Sequence, residues 1–235
     1  MATYACSDLH GRYDLYLQIK QFLKPEDKVY FLGDAGDRGP DSWVLIKKIY
    51  KDDQFIYMKG NHEDMLCNAI KEYSIHGYLG KDYRLLVNNG GEDTFDNWLA
   101  ENESVRNSWY QALEKLPTYL TYTNAGGMKV YLSHAGFTPF FYPDGVMAPP
   151  EEDDLIWSRD HFVDGWYLED NAIMVHGHTP IPYLTNRFGV EYKLGAFWYC
   201  NNHKICLDTG AYATNYTCLL DLDIFDEHIF QIEGV

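Results

Sequence analysis

Five times in this chain a short apolar run gives way to a turn loaded with carboxylates, amides or histidines. Tyr4-Ala5-Cys6 precedes Ser7-Asp8-Leu9-His10-Gly11, and Val29-Tyr30-Phe31-Leu32 precedes Gly33-Asp34-Ala35-Gly36-Asp37-Arg38-Gly39. Phe55-Ile56-Tyr57-Met58 precedes Lys59-Gly60-Asn61-His62-Glu63. Later, Val130-Tyr131-Leu132 leads into Ser133-His134-Ala135-Gly136, and Ile173-Met174-Val175 into His176-Gly177-His178-Thr179-Pro180. Short aromatic and β-branched runs that stop at turn residues read as strands. Ligands of open α/β sheets lie beyond the carboxyl ends of the strands, so all five segments are expected on one edge.

Helical periodicity fills the first gaps. Leu15, Ile19, Phe22 and Leu23 share one face ahead of Pro25, and Trp43, Ile46, Ile49 and Tyr50 do the same after Asp41 or Ser42. Met65, Leu66, Ala69, Ile70 and Tyr73 follow the third loaded turn. The first 75 residues thus read β-α-β-α-β-α, which implies a right-handed parallel sheet. One helical stretch is expected from about Thr94 to Leu116, ended by Pro117, with strands resuming near Tyr119. Phe197–Cys200 and Lys204–Leu207 form a hairpin across Asn201-Asn202, and Thr217–Leu222 pairs with His228–Ile232. The acidic, proline-bearing piece 143–154 reads as a surface loop. With no repeat and no linker-like stretch, residues 1–235 are expected to form a single α/β domain, and a chain this long buries about 70% of its surface without staples.

Charge narrows the function. Lys and Arg number 19 against 35 Asp and Glu, a net charge of −16. Such a surface repels phosphate backbones, so nucleic acid is not an expected partner. It also opposes any anionic substrate unless cations reverse the field locally. No apolar run approaches the ~20 residues of a membrane span, and Met1 leads into no apolar signal core, so a cytoplasmic, membrane-free protein is expected. The five cysteines contain no C-x-x-C pair and are expected as reduced thiols.

Collected from the strand ends, Asp8, His10, Asp34, Asn61, His134 and His178 offer oxygen and imidazole donors without a thiolate. Such sets suit Mn²⁺, Fe or Zn²⁺ rather than a structural zinc site. Six donors exceed what one metal with an open position needs, whereas two metals sharing a carboxylate would use them all.

In order and spacing, Asp8-Leu9-His10-Gly11, Gly33–Gly39 and Gly60-Asn61-His62-Glu63 resemble the triple signature of the metal-dependent phosphoprotein phosphatases. His134-Ala135-Gly136 and Gly177-His178-Thr179-Pro180 are similar to that family's later histidine motifs. Ile156-Trp157-Ser158-Arg159 and Asp208-Thr209-Gly210-Ala211 resemble its compact bacterial and phage branch, which includes lambda phosphatase. The resemblance implies a calcineurin-like metallophosphoesterase fold, two mixed β-sheets in a sandwich flanked by helices. It implies Asp8 and His10 on a first metal, Asp34 bridging, and Asn61, His134 and His178 on a second. The two divalent ions are expected as Mn, with Fe or Zn as alternatives. Arg38, Arg159 and Asn61 would bind the phosphoryl group, and His62, oriented by Asp37, would protonate the leaving oxygen after direct attack by a hydroxide bridging the metals.

These residues make a hydrolase of phosphoproteins or phosphopeptides the expectation, with phospho-Ser/Thr favoured over phospho-Tyr. Glu63 and Thr179-Pro180 point to that branch. The same motifs serve small phosphoesters, and the alternative is a dinucleoside-polyphosphate hydrolase such as a diadenosine tetraphosphatase. A catalytically silent phosphate-binding module is a remote third reading, since no donor is lost. Two positions depart from the family pattern: Ser7 replaces a usual glycine, adding a Cβ at a tight turn, and Gly36 replaces a usual apolar residue, removing packing behind Asp37. Lys59 is either a secondary phosphate contact or a solvated lysine. His176 has no carried-over role. Glu151-Glu152-Asp153-Asp154 and Phe140-Phe141-Tyr142 are candidate borders of the cleft.

Overall fold

Alternation along the strands sorts side chains onto opposite faces, each packed into a core of its own. In β1 (Thr3–Cys6), Tyr4 and Cys6 enter one core while Ala5 enters the other. In β2 (Lys28–Phe31), Val29 and Phe31 join the first core, and Leu32, just past the strand, joins the second. In β5 (Lys129–Ser133) and β6 (Ala172–His176), Val130, Leu132, Ile173 and Val175 enter the second core, while Tyr131 and Met174 point into a third cluster. Successive strand residues point to opposite faces, so strands apolar on both faces must lie between two covering layers. The second core is therefore the seam between two stacked sheets.

The structure, a computed structural model, describes residues 1–162 and 168–232. The first sheet adds β3 (Phe55–Tyr57), β9 (Tyr216–Asp221) and β10 (Glu227–Gln231) in the order β10-β9-β1-β2-β3. β1, β2 and β3 run parallel, with Ala5 opposite Tyr30 and Tyr30 opposite Ile56, while β9 runs antiparallel to β1. The second sheet combines β4 (Tyr119–Thr123), β7 (Phe197–Tyr199) and β8 (Lys204–Cys206) with β5 and β6 in the order β4-β5-β6-β8-β7. Its three inner strands are parallel and its two edges antiparallel. The expected sandwich of two mixed sheets with flanking helices is thus present.

Helices α1 (Tyr13–Phe22), α2 (Ser42–Lys51) and α3 (Asn61–His76) follow the first three strands, and their buried faces complete the first core. The continuous helix expected over 94–116 is instead divided. After α4 (Lys81–Asn88), α5 (Glu92–Leu99) stops and α6 (Glu103–Glu114) starts afresh, because the Asn102 side chain accepts the Val105 N–H at 3.1 Å and caps the new helix. The acidic end of the 143–154 loop is also helical: α7 (Glu152–Trp157) places Glu152, Asp153 and Asp154 in its first turn, where the helix dipole favours negative charge. Two short helices, α8 (Ile181–Phe188) and α9 (Ala211–Thr214), complete the set. Among the described residues no helix is long and apolar enough to cross a membrane, and the five cysteines are free thiols.

The turns after β2 and β3 touch backbone to backbone. Gly33 has φ +103°, and a Cβ there would sit 2.5 Å from the Gly60 nitrogen. Gly33→Ala should therefore destabilise the fold by about 1–3 kcal/mol through backbone strain alone. Urea unfolding checks this, and an unchanged midpoint would contradict the close approach of the two turns.

Candidate active site

The loaded segments do converge at the carboxyl ends of the central strands, and their backbones are bent to do so. Asp8, His10, Asp34, Asp37, Arg38 and His178 all have φ between +43° and +67°. This left-handed region costs non-glycine residues about 1–3 kcal/mol each and persists only where surroundings enforce it. Here the turns zip together. Asp8, His10 and Gly11 donate backbone N–H groups to the carbonyls of Gly33, Asp34 and Ala35 at 3.1, 3.0 and 2.8 Å. The Glu63 carboxylate, buried in the first turn of α3, accepts from Asp34 N, Ala35 N, Gly60 N and the Tyr57 hydroxyl at 2.7–3.0 Å. Four donors from three segments thereby fix the second and third turns together.

Asp34 is the hub. Its Oδ2 lies 3.4 Å from His134 Nε2, 3.7 Å from His10 Nε2 and 3.8 Å from His62 Nε2. Burial opposes its charge, yet His134 and His62 together hold its carboxyl well below the ordinary range. Two groups of potential ligand atoms, each within 4.8 Å, share it: His10, Asp34 and His62, and Asp8, Asp34 and His134. Asn61 Oδ1 stands 2.9 Å from both His134 Nε2 and His178 Nδ1. His134 also faces the Leu32 carbonyl through Nδ1, and despite burial Asp34 raises its pKa to about 9. A divalent cation among these donors would replace the inward proton. His10 points Nδ1 at the Gly36 carbonyl, leaving Nε2 facing inward; burial and His62 push its pKa well down. Asp8 Oδ1 and His178 Nε2 are buried without hydrogen-bond partners. Stranded acceptors beside hard oxygen and imidazole donors fit divalent ions, and six buried ligand candidates, one of them a shared carboxylate, fit two of them.

Arg38 reaches across this cluster. Its Nη1 lies 2.8 Å from His10 Nε2 and its Nη2 3.0 Å from His62 Nε2. The guanidinium stacks on the Tyr212 ring at 4.8 Å, and the backbone N–H donates to the Gly90 carbonyl. His62 Nδ1 lies 2.6 Å from Asp37 Oδ2. Burial works against the imidazolium, but Asp34 and Asp37 outweigh it and raise the His62 pKa. Asp37 is held by Thr94 Oγ1, which accepts its N–H at 3.2 Å, and by Gly91, where a Cβ would stand 2.8 Å from its carboxylate. Arg159 lies exposed just past α7, and its charge adds to the burial and the His134 charge that lower the His178 pKa.

Other expectations resolve differently. Lys59 is not solvated: it is buried, with Nζ on the Glu114 carbonyl at 3.0 Å. The packing that Gly36 forgoes is supplied by Ile46, whose Cδ1 stands where a Cβ would point. His176 is a core residue between the Gly177 carbonyl and the Tyr199 hydroxyl. Phe140 and Tyr142 pack edge to face on an exposed loop. Residues the motifs left without a role include Tyr212, Thr94 and Asp208, whose carboxyl is pushed up to about 6 by burial. The only sequence signal for the Thr94 support is the glycine pair Gly90-Gly91 just before it.

The family model of the calcineurin-like phosphoesterases matches residues 1–208. The chain is 30% identical over 144 residues to a symmetrical bis(5'-nucleosyl)-tetraphosphatase of Buchnera aphidicola, covering 59% of this chain and 46% of that protein. It thus spans about half the length of that curated relative. It is 24% identical over 221 residues to the asymmetrical bis(5'-nucleosyl)-tetraphosphatase PrpE of a Geobacillus species, covering 77% and 80%. Among solved structures, a cold-active protein-tyrosine phosphatase of a psychrophilic Shewanella shares the fold with a TM-score of 0.60 at 16% identity, covering 99% of this chain and 78% of that one.

Because Asp34 belongs to both ligand groups, Asp34→Asn should lower occupancy at both metal positions rather than one. Elemental analysis after incubation with Mn²⁺ and desalting measures this. Wild-type metal content in the variant would show that Asp34 is not shared.

Proposed function

The chain belongs to the calcineurin-like phosphoesterases, and on that premise we propose that it hydrolyses dinucleoside polyphosphates at a centre of two divalent ions. The observation that supports a phosphoryl site is the Arg38 fork, set between His10 and His62, both of which face the shared Asp34. The nucleotide part of the reading rests on the names of the sequence relatives, which are tetraphosphatases of both symmetrical and asymmetrical type.

Proximity groups Asp8 with His134 and His10 with His62 around Asp34; with His62 kept for its bond to Asp37, the family's pattern would put Asp8, His10 and Asp34 on one ion and Asp34, Asn61, His134 and His178 on the other. Bound there, the pair supplies positive charge against the phosphate and lowers the pKa of water toward neutrality. The chain's own residues do the rest. Arg38 offers two N–H donors in a planar fork that matches two phosphoryl oxygens, which a lysine cannot do. Arg159, whose charge reaches His178, would meet further phosphoryl oxygens. His62 donates from Nδ1 to Asp37, and its Nε2, which faces Arg38 Nη2 at 3.0 Å here, would carry the proton for a leaving oxygen once the guanidinium turns to the phosphoryl group. Asp37 keeps that imidazole oriented and charged.

A second reading, phosphoprotein hydrolysis, has one observation in its favour. Asp64 at the start of α3 hydrogen-bonds Trp157, and its carboxyl is pushed up by burial and by Asp153 and Glu152 of α7. Trp157 in turn packs edge to face with His178 at 6.5 Å. An acidic rim on that side repels a polyphosphate chain and suits basic residues flanking a phosphoserine.

Side-by-side turnover of diadenosine tetraphosphate and a phosphoserine peptide decides between the two. Faster hydrolysis of the dinucleotide is expected; the reverse ranking replaces the first reading with the second. The acid role of His62 has its own test. His62→Asn should slow phosphoserine hydrolysis by about 10²–10⁴-fold, because an alkoxide needs the proton. p-Nitrophenyl phosphate, whose leaving group departs unaided, should suffer far less. Equal losses on both, or loss of a metal, would make His62 a ligand instead.

A further inference from the structure

Ser7 is fully buried at the end of β1, and its hydroxyl donates to Asp8 Oδ2. The same oxygen accepts the backbone N–H of His178 at 3.1 Å. Oδ2 therefore has two donors, whereas Oδ1 is buried with none and lies 4.0 Å from His10 Nε2. A carboxylate satisfied on one oxygen and stranded on the other has a defined ligand atom. We propose that Ser7 is a positioning residue that locks the Asp8 side chain so that Oδ1 faces the metal position, an inference that rests on the two-metal reading above.

The surroundings make the lock stiff. A Cβ on Gly177 would collide with both Ser7 Oγ and Asp8 Oδ2, so the serine hydroxyl fills the space that this glycine leaves open. The Gly177 N–H donates to the His134 carbonyl at 2.8 Å, which holds the turn after β6 in place. Asp8 itself is in the left-handed region, with its N–H on the Gly33 carbonyl, so the backbone cannot swing to compensate for a lost side-chain contact. Because Oδ2 also takes the His178 N–H, the contact joins a ligand of the first metal to the segment carrying a ligand of the second. Hydrogen bonds that orient a ligand in this way are worth about 10–100-fold in metal affinity.

The test is calorimetric titration of Mn²⁺ into the chelator-stripped full chain, for wild type, Ser7→Ala and Ser7→Gly, alongside thermal unfolding of the stripped proteins. Both variants should weaken one of two binding steps by about 10–100-fold, while the stripped proteins still unfold in a cooperative transition. Two wild-type binding steps in both variants would overturn the assignment. So would lowered stability with unaltered Mn²⁺ affinity, or failure of both variants to fold, each of which makes Ser7 a packing residue. Wild-type protein that binds no Mn²⁺ overturns the two-metal reading itself, and is seen before any substitution is made.

Discussion

A carboxylate that touches none of the proposed ligand atoms organises the site. Glu63 gathers three backbone N–H groups and a tyrosine hydroxyl from the ends of β2 and β3 and the start of α3. Without it, the amides of Asp34 and Ala35 would be buried and unpaired, at about 1–3 kcal/mol each. With it, Asp34 is held in its left-handed conformation facing the histidines, and Asn61 and His62 start their helix in the same place each time. Hydrogen bonding and burial thus meet the strain cost of the bent turns, and chemistry inherits a rigid frame.

Electrostatics follow from that frame. The chain carries a net charge of −16, yet the proposed substrate is an anion. Within the cleft the chain's own cations are few: Arg38 lies between His10 and His62, the Arg159 charge reaches His178, and three imidazoles face the one Asp34 carboxylate. Divalent ions would reverse the local field, and an Asp34 shared between two positions would let six side chains serve both. Tyr212 has a separate part. Its ring faces the Arg38 guanidinium and packs edge to face with His10, so the fork has a wall to rest against.

Much of this is legible in the sequence, and what is not has physical causes. The β-α-β-α-β-α opening can be read because its strands stop at small, polar turn residues and its helices keep a steady apolar period. All six proposed metal ligands can be read because each sits one turn beyond an apolar run. The break before α6 cannot, since the apolar period runs on through both helices and only one asparagine side chain marks the new start. Lys59 next to a phosphate-type turn suggests exposure, but the Glu114 carbonyl that buries it lies 55 residues on. Gly36 looks like a packing defect until Ile46 is seen to fill it. Tyr212 and Ser7 act through contacts 174 and 171 residues away in sequence, with Arg38 and His178 respectively, where Ser7 acts through the shared Asp8 oxygen. Local pattern reveals which residues end a strand; long-range pairing decides which of them meet.

The central claim is that this constellation holds two divalent ions around a common carboxylate. Anomalous diffraction from crystals grown with Mn²⁺ tests it directly. Two peaks are predicted, one among Asp8, His10 and Asp34 and the other among Asp34, Asn61, His134 and His178, with Asp34 touching both. A single peak, or a second peak coordinated without Asp34, would contradict the account.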